Sequence, residues 1–332
     1  MEFAIVLGGG QVGQVISKGI DNIVEQAQLA ESLGFTAVFV PDHYVFEEMG
    51  DFKKGQPAYE IFFLMTMLAQ TTGLTIGSHV ACTIFRHPAM LARLFAHVDE
   101  VAGGRVIAGV GAGWTKAEFD MLGIDFPHVS ERLRMMDEAV TVMRGLWREE
   151  PFSFEGEYYK LTDAQIRPLP TRVGGPPIML GGSGKGILRR AGQWADIVHL
   201  VPETGGPGTT TMEKVAEFTD AAVADKLALV RESALAAGRP ADAVSYATTI
   251  FSYNPATTPA QAQETAEGMG ALFGVATDDI IKYPCALVGT PDQMEEELRR
   301  RQEAHGLSLV AVGAAGPDGI RNFADNLISR FA

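Results

Sequence analysis

The feature that most limits what this chain can become is an alternation, kept up almost from end to end, of short apolar segments and longer amphipathic ones. Residues 3–7, 36–40, 74–80, 106–110, 177–180, 196–201, 244–251 and 307–312 read as strands, nearly all apolar throughout. Strands of that kind are covered on both faces, as in parallel sheets. Residues 17–33, 59–72, 88–102, 130–148, 185–194 and 212–237 carry helical periodicity, and a terminal helix runs through 322–330. Ser17 reads as the N-cap of the first helix, Gly34 and Gly73 as the stops of the first two, and Pro88 as a first-turn proline. Strand and helix in alternation make right-handed βαβ units. The expected fold is therefore α/β, a single (β/α)8 TIM barrel over 1–332, interrupted by insertions at 113–129, 150–176 and 254–291. The second insertion holds a hairpin pattern, FSFEGEYYKL, and the third holds extra helix.

The length of 332 residues is normal for one such barrel, and 46% apolar residues supply a large core. The formal charge of −14 keeps the surface soluble and argues against nucleic acid or an anionic membrane as partner. No stretch reaches the roughly 18 uncharged apolar residues of a membrane span. The start, MEFAIVLGGGQVG, lacks a basic n-region and reads as a strand and its loop rather than a signal peptide. The two cysteines, Cys82 and Cys285, have no metal-type spacing and read as reduced, which places the chain in the cytoplasm. No metal site is expected.

Chemistry in a barrel sits at the C-terminal ends of the strands. FVPDHY puts Asp42 and His43 just past the second strand. Position alone serves equally well a loop-capping aspartate and a satisfied surface histidine. The third strand ends at Ser78 and His79, facing the same mouth, whereas Arg86 and His87 read as a helix-start turn packed on the rim. VIAGVGAGW ends the fourth strand on small residues and Trp114, where a flat ring can approach the backbone. After the fifth strand, Gly181, Gly182, Ser183 and Gly184 lead into a helix whose N-terminus suits an anion, with Lys185, Arg189 and Arg190 near. This turn is neither a Walker loop nor a dinucleotide fingerprint. In HVSERLRMMDEAV, Ser130 reads as an N-cap and Arg132 as part of an exposed helix face; ELRRRQ, 297–302, reads as a solvated outer face.

Taken in order, FTAVFVPDHY, FRHPAMLARLFAHVDEVAGGRVIAGVGAGW, ERLRMMDEAVTVMRGLW, PPIMLGGSGKGILRRAGQWADIV and LVGTPDQMEEELRRRQEAHGLSLVAV resemble the luciferase-like monooxygenase superfamily, above all its coenzyme F420 (deazaflavin)-dependent oxidoreductases. The resemblance implies a bacterial luciferase-like barrel, a homodimer, and a flavin-type ring in the mouth with its phosphate on the turn after the fifth strand. It implies Asp42, His43, Ser78, His79, Ala112, Gly113, Trp114, Gly181, Gly182, Ser183 and Gly184 as cofactor-binding residues, with a cis peptide bond between Ser78 and His79. It also implies His43, with His79 second, as the catalytic acid/base. The sugar-phosphate dehydrogenases of the family carry a glutamate where this chain has Trp114, which speaks against glucose-6-phosphate as substrate.

The reaction so implied is hydride transfer between F420 and a small organic substrate. The alternative is an FMN-dependent monooxygenase, taking reduced flavin from a separate reductase and activating oxygen. A non-catalytic flavin-binding barrel is a third reading. A phosphosugar isomerase lacks an evident lysine or glutamate at the strand ends.

Overall fold

The computed structural model describes residues 1–7, 19–44, 58–204, 211–313 and 316–331. The eight expected strands are all present, as β1 (Glu2–Val6), β2 (Ala37–Val40), β3 (Thr75–Ser78), β4 (Val106–Gly111), β5 (Ile178–Gly181), β6 (Ile197–Leu200), β7 (Ser245–Ile250) and β8 (Leu307–Val312). Each pairs in parallel with the next, and β8 pairs with β1, so the sheet closes. Closure leaves the barrel without a free strand edge.

The helices are α1 (Ile20–Ser32), α2 (Ile61–Thr71), α3 (Pro88–Val101), α4 (Lys116–Leu122), α5 (Val129–Leu146), α6 (Lys185–Trp194), α7 (Met212–Ala216), α8 (Asp220–Ala236), α9 (Pro259–Phe273), α10 (Thr277–Ile281), α11 (Pro291–His305) and α12 (Gly316–Phe323), the last followed by a π-helical turn, Ala324–Ile328. The expected cap Ser17 lies outside the described residues. Gly34 does end α1, at φ +91°. The helix expected over 212–237 is two helices, because Thr219 caps α8 by accepting from Ala222 N. The cap of α5 is His128, whose Nδ1 accepts from Ser130 N, not Ser130 itself. Among the described residues no helix is long and apolar enough to cross a membrane.

The insertions take definite forms. The first carries α4. The second forms an antiparallel hairpin, Phe152–Glu155 with Lys160–Ala164. The third holds α9 and α10, as expected, and also a strand, Ala286–Gly289, paired in parallel with Ser252–Pro255 just beyond β7. The basic run 297–302 does more than meet solvent. Arg301 is 2% exposed and donates to Tyr283 O, Pro284 O and Ala286 O, fastening that segment to α11.

Strand register explains what the uniform apolar runs hide. Pairing puts Ala4, Ala37, Gly77, Ile107, Gly109, Met179, Ile197, Ala247, Leu309 and Ala311 in phase on the inner wall. That wall is built from small residues alternating with a few large ones, whereas Phe3, Ile5, Val38 and Val40 face the helices and the main core. Interior glycines are filled from neighbours. A Cβ on Gly77 would lie 2.1 Å from the Phe39 ring, and one on Gly109 would lie 1.9 Å from the Ser78 carbonyl oxygen. Nothing larger than glycine fits at either place.

Candidate active site at the barrel mouth

Following the inner phase toward the strand ends brings together His79 after β3, Gly111 of β4, Gly181 of β5, His199 of β6 and Thr249 of β7. His79 Nε2 lies 3.3 Å from His199 Nε2 and 3.4 Å from Thr249 Oγ1, which is itself 3.0 Å from His199 Nε2. The His79 ring stacks on Phe39 at 5.6 Å. Burial, joined by the neighbouring His43, pushes His79 down to about 4, and burial with His79 lowers His199. Both rings are therefore neutral at pH 7. Neither His199 nor Thr249 stood out in the sequence; the signal was a polar side chain in phase with the inner wall near the end of an apolar strand.

The two neutral imidazoles have a consequence for stability. Their folded-state values lie below the ordinary 6.5, so as pH falls the unfolded chain takes up protons that the folded chain refuses. Stability is then lost from pH 6.5 down to about 4, on the order of 3 kcal/mol for His79 alone. Chemical denaturation of wild type and His199→Gln across this window should show a shallower loss in the variant. Identical slopes would contradict the assignment.

The chain leaves the β3 ladder at His79, and Ala81–Cys82 rejoins it against Val110 and Gly111. The cis peptide bond lies between His79 and Val80, one residue beyond the expected Ser78–His79 bond. Val80 is the residue that fills the floor of the mouth. Its methyl groups sit 2.8 Å and 3.1 Å from where Cβ atoms on Gly111 and Gly181 would stand. Ser78 is wholly buried and donates to Gly109 O at 2.6 Å, so its hydroxyl faces β4.

On the β2 side, Asp42 is 6% exposed. Its oxygens accept from Cys82 N at 3.0 Å and from both Arg86 terminal nitrogens at 2.7 and 2.9 Å. Arg86 also donates to Glu60 and lies over the Phe62 ring. It is thus more than a rim residue. Burial opposes its charge, but the Asp42 hydrogen bonds and charge outweigh that and raise its value. His87 caps α3 as expected, accepting from Ala89 N. The Asp42–Arg86 pair anchors the loop that carries His43 next to it.

His43 stands edge-on to Trp114 at 6.2 Å. Its Nδ1 lies 3.1 and 3.2 Å from the oxygens of Glu118, which is 3% exposed and also accepts from Tyr44 N at 2.7 Å. Glu118 arrives on α4, within the first insertion. Beside His43, Leu7, Pro41, Tyr59 and Leu64 line a small apolar recess. Cys82 and Cys285 are buried, and burial pushes both thiols up to about 12.

Ala112, Gly113 and Trp114 leave β4 and turn at Gly113, φ +73°. Arg132 is buried, not exposed: it donates to Ala112 O and Pro127 O and covers the Phe126 ring at 3.9 Å. After β5, Gly182 adopts φ +125°, and no side chain caps α6. The Ser183 hydroxyl donates to Val201 O and accepts from Val201 N, which ties the turn to the end of β6. Arg190 is held by Asp137, while Lys185 and Arg189 are exposed.

The chain is a closed parallel barrel whose mouth combines a glycine-rich turn, a glycine-lined floor and an anchored histidine. The model of one family, luciferase-like monooxygenase, matches residues 1–308, and the chain belongs to that family. It is 30% identical over 227 residues to the F420-dependent glucose-6-phosphate dehydrogenase of Amycolatopsis mediterranei, covering 64% of this chain and 67% of that one. Other relatives of the same name are matched over about half of their length. Among solved structures, an F420-dependent secondary alcohol dehydrogenase in complex with an F420-acetone adduct superposes with TM-score 0.75 at 24% identity, covering 99% of this chain and 98% of that one. EDTA monooxygenase from Chelativorans sp. BNC1 superposes with TM-score 0.78 at 16% identity, covering 99% and 93%. These two share the fold and differ in named activity.

Proposed function

We propose that this chain is a coenzyme F420-dependent oxidoreductase that moves hydride between the cofactor and a small organic substrate. What supports the reading most is the F420-dependent name shared by the matched relatives. The residues present suit the group. The Gly181–Gly184 turn runs into a helix start that no side chain caps, a fit for phosphate. Val80, set between Gly111 and Gly181, supplies an apolar floor for a flat ring, and Trp114 a side wall.

Bound there, the deazaflavin supplies a ring carbon that gives or takes hydride. The chain's own part is to orient the substrate and to move a proton. His43 exchanges that proton with the substrate oxygen. The neutral His79, held by His199 and Thr249, offers a hydrogen bond instead of a charge. Asp42 keeps the His43 loop in place through Arg86. Trp114 stands where the sugar-phosphate enzymes carry glutamate, so glucose-6-phosphate is not the substrate we propose.

Titrating the apoprotein with F420 and, separately, with FMN while following cofactor fluorescence tests this reading. Saturable quenching of F420 with weak or absent FMN binding is expected. Tight FMN binding without F420 binding would replace it with the flavin monooxygenase.

A further inference from the structure

Glu118 is a carboxylate removed from water, at 3% exposure, with no lysine or arginine among its hydrogen-bond partners in the described residues. It accepts from one main-chain N–H, that of Tyr44, and both oxygens lie within hydrogen-bond distance of a single ring nitrogen, His43 Nδ1. An ionised carboxylate only accepts, so the nitrogen facing it must carry a proton. We propose that Glu118 is the positioning residue of this site: it holds His43 with the proton on Nδ1, so that Nε2 is the nitrogen that gives and takes protons at the mouth. The assignment rests on the reading of His43 as the acid/base.

Three features carry it. The Tyr44 N–H fixes the carboxylate relative to the very loop that bears His43, so carboxylate and imidazole move as one unit. Phe119, the next residue on α4, is wholly buried against Phe85 and Phe126, which seats α4 and leaves Glu118 little freedom. And a buried carboxylate on the far nitrogen stabilises the imidazolium that forms when the near nitrogen takes a proton, while setting the ring's orientation. The first insertion thereby does more than shape a pocket; it delivers the second half of an acid/base pair.

The titratable and charged groups facing His43 among the described residues are Glu118 on α4, His79 beyond β3, Tyr59 before α2, and the adjoining Tyr44 and Asp42 with Arg86 and Glu60. Of these carboxylates, Glu118 is the one on the ring, since Asp42 and Glu60 both turn to Arg86.

Nitrogen-15 NMR of the histidine-labelled apoprotein, with His43 assigned through His43→Gln, reads the tautomer directly. The neutral wild-type ring should carry its proton on Nδ1. Glu118→Gln, whose amide oxygen still serves the Tyr44 N–H, should weaken that preference, so that both tautomers of the ring are populated. In the holoenzyme it should cut turnover about 100-fold, with F420 affinity unchanged. Glu118→Asp should recover part of the loss. A wild-type ring protonated on Nε2 overturns the proposal, as does a Glu118→Gln protein with an unchanged tautomer. The tautomer is read without cofactor, so failure to bind F420 would remove the proposed reaction and leave the role of Glu118 standing.

Discussion

His43→Ala should lower turnover by about a hundred- to ten-thousand-fold while F420 affinity stays within a few-fold of wild type. The size follows from the role. A proton must reach or leave the substrate as hydride moves, and an imidazole is the side chain whose ordinary titration serves both directions. The described neighbours cannot take over. His79 is pushed down to about 4 by burial and by His43, so at pH 7 it has no proton to give as a cation. Glu118 is 3% exposed, and its oxygens are taken up by the His43 ring and the Tyr44 N–H. The phenol of Tyr44 is raised by burial, which makes it a poorer acid. Steady-state kinetics with reduced and oxidised F420 check the expectation; unchanged rates would remove His43 from the chemistry.

Arg86→Met should cost about 3–5 kcal/mol of folding stability, the range for stripping one partner from a buried ion pair. Asp42 is 6% exposed, and three of its hydrogen bonds come from outside its own loop, two of them from Arg86. Without Arg86 the carboxylate keeps, among the described residues, the Cys82 N–H, and Glu60 loses the Arg86 cation as well. Methionine retains the apolar stem packed on Phe62, so the loss reports the charge rather than the packing. Adding Asp42→Leu, which removes the stranded charge, should restore much of the stability. Urea denaturation of the two proteins decides; a single variant within about 1 kcal/mol of wild type would mean that water reaches Asp42 and the pair is not an anchor.

The barrel was legible because burial on both faces of a parallel strand leaves a continuous apolar run, and all eight runs became strands within two residues of their expected ends. The strand-end segments were legible for the same reason: a polar or glycine-rich stretch after an apolar run marks the mouth. Burial of charge was not legible. Arg132, Arg301 and Glu118 sit on helices whose sequence gives ordinary exposed faces, and each is buried because distant backbone groups receive it: Ala112 O, Tyr283 O and the Tyr44 N–H. Asp42 and Ser78 were placed correctly at the mouth, yet their polar atoms are taken up by Arg86 and Gly109, partners 44 and 31 residues away. The inner phase of β6 and β7, which brings His199 and Thr249 to His79, depends on register, and register emerges only when the strands pair.

A crystal structure of the protein grown with F420 would show where the cofactor sits in the mouth. The deazaflavin ring is expected over Val80, between His43 and Trp114, with its phosphate on the backbone of Ser183 and Gly184. A ring bound away from His43, or a phosphate held anywhere but that turn, would contradict this placement.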